Sequence, residues 1–123
     1  MSERKYDRDL DPTPLVTELL NRSTDGKVSW EPTANKVAFI TSVAGRTWKV
    51  DHTTDWESTP WGGMEQTEVP RLTLLDEKGN PLWEIYQSKV KGRLLWDLYR
   101  LAQRIGNKLD DEMQQQMSAL GKL

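Results

Sequence analysis

No cysteine and only one histidine occur in the 123 residues, and no apolar run approaches the length of a membrane span. Each absence excludes something. Without thiols there is no disulfide framework, no cysteine nucleophile and none of the commonest structural zinc sites. A lone imidazole, His52, leaves little from which to build a metal cage or a Ser-His-Asp arrangement. An excess of one charge is missing too. Seventeen Lys+Arg against nineteen Asp+Glu leave a net charge of −2, so no global field draws in nucleic acid or an anionic membrane. The start, Met1 to Asp9, is charged and lacks the apolar centre of a signal peptide. A cytoplasmic protein is expected.

Tryptophan, by contrast, is plentiful, with six residues. Its large apolar body and single N–H suit anchoring a core or a contact face better than moving protons. The expectation is therefore a binding protein with no catalytic residues, no metal and no cofactor.

Residues 1–12 carry mixed charge and read as a flexible arm, and 13–123 as one α+β domain. Thr13-Pro14 predicts a helix start, with Leu15, Val16, Leu19 and Leu20 on one face and a stop over Asn21 to Gly26. The period then changes. Val28 and Trp30 share one side of a short predicted strand that Pro32 ends. Val37, Phe39, Thr41 and Val43 predict a strand that turns through Ala44-Gly45-Arg46 into Thr47 to His52, with Trp48 and Val50 sharing a face. Residues 53–68 read as a long connection. A second hairpin follows, with arms Arg71 to Leu75 and Pro81 to Tyr86. The second arm has apolar residues on both faces, which predicts a central place in the sheet.

From Lys89 the helical period returns. Leu94, Leu95, Leu98, Leu101, Ala102 and Ile105 form a stripe ending at Gly106-Asn107, and Leu109, Met113, Met117 and Leu120 form a narrower one after it. The predicted fold is a short N-terminal helix, a four- to five-stranded antiparallel sheet built from two hairpins, and two C-terminal helices packed on one face.

The sites follow from what that fold leaves over. Trp30, Trp48, Trp83 and Trp96 occupy apolar-face positions and read as core. Trp56 and Trp61 lie in a polar stretch, where tryptophans either fold back onto the core or present a hot spot. Met113 and Met117 suit an adaptable partner groove or a second copy of the chain. Arg93, Arg100, Arg104 and Lys108 make the long helix locally positive, which beside aromatic strands is the pattern of single-strand nucleic-acid binders. His52 beside Asp51 reads as an ordinary strand-end histidine, since strand neighbours point to opposite faces. Gly62-Gly63 lacks the spacing of a phosphate loop.

Three stretches carry a resemblance. Thr17-Glu18-Leu19-Leu20 through Thr24-Asp25-Gly26-Lys27-Val28-Ser29-Trp30, the hairpin Leu74-Leu75-Asp76-Glu77-Lys78-Gly79-Asn80, and Leu94-Leu95-Trp96-Asp97-Leu98-Tyr99 together resemble a pattern in small bacterial and phage proteins. The resemblance implies a bacterial or phage origin and no activity. The functional expectation is a non-enzymatic protein-interaction module, an adaptor or inhibitor, that binds another protein through Trp56, Trp61, Met113 and Met117. The alternative is a nucleic-acid-binding domain using Arg93, Arg100, Arg104 and Lys108, and a small enzyme stands third.

Overall fold

Short turns organise the sheet. Val43 and Arg46 face each other across Ala44-Gly45, both at positive φ, the two-residue turn whose twist matches that of the flanking strands. The Asp76 to Asn80 turn closes the other hairpin, with the Asp76 carboxylate accepting the N–H groups of Lys78 and Asn80 at 2.9 and 2.8 Å. In a computed structural model describing residues 10–35 and 37–123, the order is α1 (Thr13–Thr24), β1 (Glu31–Pro32), β2 (Phe39–Val43), β3 (Arg46–Ser58), β4 (Met64–Leu75), β5 (Pro81–Tyr86), a 3-10 turn (Gln87–Lys89), α2 (Leu94–Gly106) and α3 (Leu109–Gly121). The five strands form one antiparallel sheet in chain order. The α+β class and the succession of elements are those expected. Of the arm expected over 1–12, residues 1–9 lie outside the described residues.

One face of the sheet is apolar. Phe39, Val50, Leu72 and Ile85 stand in register across β2 to β5, and all four are buried. Trp48 and Leu74 make a second row beside them, with Trp83 next along. Onto this face α2 lays Leu95, Leu98, Tyr99 and Ala102, and α1 adds Val16 and Leu19. Trp30 closes the cluster, its indole N–H donating to Ser23 Oγ at 2.9 Å, so the polar handle of a buried ring is satisfied. Trp30 and Trp48 are therefore core, as expected, and Trp83 and Trp96 are partly buried against it. The opposite face is polar. There Arg71 grips Asp51 with two hydrogen bonds, 3.0 and 2.8 Å, and the carboxylate keeps the guanidinium charged even beyond its ordinary range.

The observed structure departs from expectation in four places. First, residues 53–68 are not a loose connection. They are the outer half of the β3–β4 hairpin, with pairing running from Thr47↔Leu75 out to Ser58↔Met64. Polar alternation in Thr53 to Ser58 had hidden a strand that never enters the core. Second, β5 is an edge strand, with Leu82 exposed, and β3 is central. Third, the first pairing after α1 falls at Glu31–Pro32, because Trp30 turns inward to Ser23. Fourth, the layer on the sheet is α2 with α1, whereas no residue of α3 is buried.

β2 covers β3 only as far as Val50, and β5 covers β4 only as far as Arg71. Beyond them the hairpin continues as a two-stranded ribbon for seven further positions on β3, a reach of roughly 20 Å. No helix among the described residues is long and apolar enough to cross a membrane.

Candidate interaction surfaces

The ribbon ends in the loop Thr59 to Gly63. Thr59 N–H donates to the Gly63 carbonyl at 2.8 Å, Gly62 N–H to the Thr59 carbonyl at 3.1 Å, and Gly63 N–H to Thr59 Oγ1 at 2.9 Å. A three-residue loop of this kind needs its last residue left-handed, and Gly62 supplies φ +90°. Trp61 is held at the outermost point and is 80% exposed. Trp56, on the ribbon opposite Gln66, is 58% exposed, as is Met64. Met64 belongs with this apolar tip although nothing in the sequence singled it out, because only the hairpin pairing places it opposite Ser58. Ser58 Oγ donates to its sulfur at 3.6 Å.

A second exposed apolar surface runs along α3. Leu109, Met113, Met117 and Leu120 are 47 to 62% exposed. Acidic residues Asp110, Asp111 and Glu112 occupy the first turn, the favoured end of the helix dipole for negative charge. Lys108, in the left-handed conformation, turns the chain between α2 and α3.

The basic residues are divided by their partners. Arg93, Arg100 and Arg104 recur on one side of α2, but Arg104 is taken by Asp110 at 2.8 Å. Arg100 lies over the Trp96 ring, 5.7 Å from its centre. Arg93 and Arg100 line one wall of a groove of about 500 Å³, together with Trp96, Gly92 and Gln87. The facing wall is the ribbon, with Asp55, Glu57, Thr67, Glu68 and Val69.

Gln87 builds the α2 wall, and no helix-start signal in the sequence marked it. Its side-chain oxygen accepts the N–H groups of Leu95 and Trp96 at 3.1 and 3.2 Å, and its amide donates to the carbonyls of Val90 and Gly92 at 3.3 and 2.6 Å. One glutamine thus satisfies orphan donors at the start of α2 from outside the helix.

His52 sits where the ribbon leaves the sheet. Its Nδ1 is 3.4 Å from Glu68 Oε2, and its ring meets Tyr99 edge-on at 5.6 Å. Burial, with Glu68 and Asp51 nearby, pushes the Tyr99 phenol above its ordinary value, and its hydroxyl donates to the Val37 carbonyl at 3.3 Å. Among the described residues no three His, Cys, Asp or Glu side chains are grouped to hold a metal ion. Comparison with protein-family models, curated proteins and solved structures finds no match to this chain.

Proposed function

We propose that this chain is a non-enzymatic protein-interaction module, an adaptor or inhibitor that binds another protein through the ribbon tip and α3. One observation carries the reading: of the twelve large exposed apolar side chains among the described residues, seven fall at two places, Trp56, Trp61 and Met64 on the ribbon and Leu109, Met113, Met117 and Leu120 on α3, with Leu10, Val37, Val43, Leu82 and Leu123 elsewhere. Clustered exposure of this kind marks contact sites, and tryptophans are the commonest hot-spot residues. An isolated helix as short as α3 is marginal in water, so a covering surface supplied by a partner explains its amphipathic pattern. A cytoplasmic location and a bacterial or phage origin belong to the same proposal, on the cysteine-free composition and the resemblance.

The test begins with affinity capture from the host, followed by calorimetry with the purified partner. Trp56→Ala and Trp61→Ala should each weaken the complex by about 2 kcal/mol or more while leaving the thermal melt unchanged. Equal affinity in both variants and in Met113→Glu/Met117→Glu would sink the reading.

Nucleic-acid binding is a second reading, favoured by Arg93 and Arg100 beside the Trp96 ring. Asp97 on the same helix and the Arg104–Asp110 pair weaken the field these residues make. It predicts oligonucleotide binding that falls steeply with salt and is lost on reversing Arg93 and Arg100.

A further inference from the structure

β5 ends at Tyr86, opposite Arg71, whereas β4 runs on to the ribbon tip at Met64. Among the described residues, no strand therefore neighbours the outer side of β4 from Met64 to Val69. The turn decides which backbone groups face that way. Because Thr59 bonds Gly63, the pairs Glu57/Glu65, Asp55/Thr67 and Thr53/Val69 bond each other, and the residues between them point outward. Those residues are Met64, Gln66 and Glu68. Pro70 comes next in the outward series, where the missing N–H forfeits no ladder bond. The β3 edge differs, since its Trp56 N–H is already taken by the Asp55 carboxylate at 2.8 Å.

The open edge fronts the groove between ribbon and α2. Thr67, Glu68 and Val69 form one side and Arg93, Trp96 and Arg100 the other, across about 500 Å³, within the usual range of ligand sites. We propose that an extended segment of a partner protein adds as a strand to the outer edge of β4, with acidic side chains directed at Arg93 and Arg100. Strand addition takes its affinity from main-chain bonds and its specificity from alternate side chains.

Charge selects the occupant. Ribbon residues 53–69 carry Asp55, Glu57, Glu65 and Glu68 and no Lys or Arg, so the ribbon of a second copy would repel this one. A second copy would also bring its β3 against the α2 wall. A single foreign strand avoids both, placing acidic side chains on the sheet face that carries α2 and basic or neutral ones on the opposite face, beside Glu65, Thr67 and Val69. The inference rests on the protein-interaction reading and adds the β4 edge to the contact surfaces it names.

The experiment pans a displayed random heptapeptide library on the full chain, then titrates the enriched synthetic peptides. Enriched peptides should alternate acidic with basic or neutral residues. Arg100→Glu and Gln66→Pro should each weaken their binding about tenfold or more, and Lys27→Glu, an exposed charge reversal outside the groove, should leave it within about twofold. On the unaltered protein, bound peptide should slow amide exchange at Gln66 and Glu68 at least about tenfold, a readout independent of how any variant folds. Failure to enrich any peptide, or unchanged exchange at Gln66 and Glu68 with peptide bound, overturns strand addition. Binding indifferent to Gln66→Pro but lost in Trp61→Ala overturns it as well, while leaving the protein-interaction reading standing.

Discussion

α2 and α3 are each 13 residues long and follow one another across Asn107-Lys108, yet α2 forms the centre of the core and α3 contains no buried residue. Both carry apolar residues at helical spacing. The width differs: α2 has Leu94, Leu95, Leu98, Leu101, Ala102 and Ile105 with Trp96 and Tyr99 beside them, whereas α3 has four residues in a narrow line. Their starts differ as well. α2 begins under the Gln87 amide, and α3 begins at a left-handed lysine with only acidic side chains to favour it. A stripe becomes core only when another element of the chain offers a face to match it, and α1 and the sheet have offered theirs to α2.

Four measurements break or sharpen this contrast. Leu98→Ala, at a fully buried position on the core face of α2, should cost roughly 2–5 kcal/mol in denaturant unfolding, while Met117→Ala on α3 stays within about 0.5 kcal/mol. Comparable losses at both sites would erase the distinction. Gln87→Ala should cost about 1–3 kcal/mol, because the part-buried N–H groups of Leu95 and Trp96 lose their acceptor, and amide exchange at both should rise.

At the other end of α2, a Cβ on Gly106 would stand 2.6 Å from the Phe39 ring, which is fully buried and has nowhere to move. Gly106→Ala should therefore destabilise by about 1–3 kcal/mol despite alanine's better helix propensity. A neutral or stabilised variant would show that this end of α2 can shift. Removing residues 109–123 should have the smallest effect, under about 1 kcal/mol, since it uncovers no buried residue of α3. Unfolding of the truncated chain would return α3 to the core.

Much of the fold was legible from periodicity. Phe39, Trp48, Val50 and the α2 stripe were readable because each alternates or recurs at the period of its element, and burial follows that period. The ribbon was not, because Thr53 to Ser58 and Glu65 to Glu68 are wet on both sides and so show no apolar alternation. Trp56 and Trp61 stood out by residue type, and the pairing adds Met64 to them. Gln87 gave no signal, since its role depends on a turn bringing a glutamine back over a helix that starts seven residues later.

By itself the sequence determined the α+β class, the order of helices and hairpins, and the exclusion of thiol chemistry, for these depend on local period, turn residues and composition. Only the tertiary structure decided which of two similar helices is core, that the polar stretch is a paired ribbon, and that β4 outruns β5 to leave an open edge beside Arg93 and Arg100. Those outcomes depend on which faces meet and how far each strand's neighbours extend, and contacts between distant parts of the chain leave no local pattern to read.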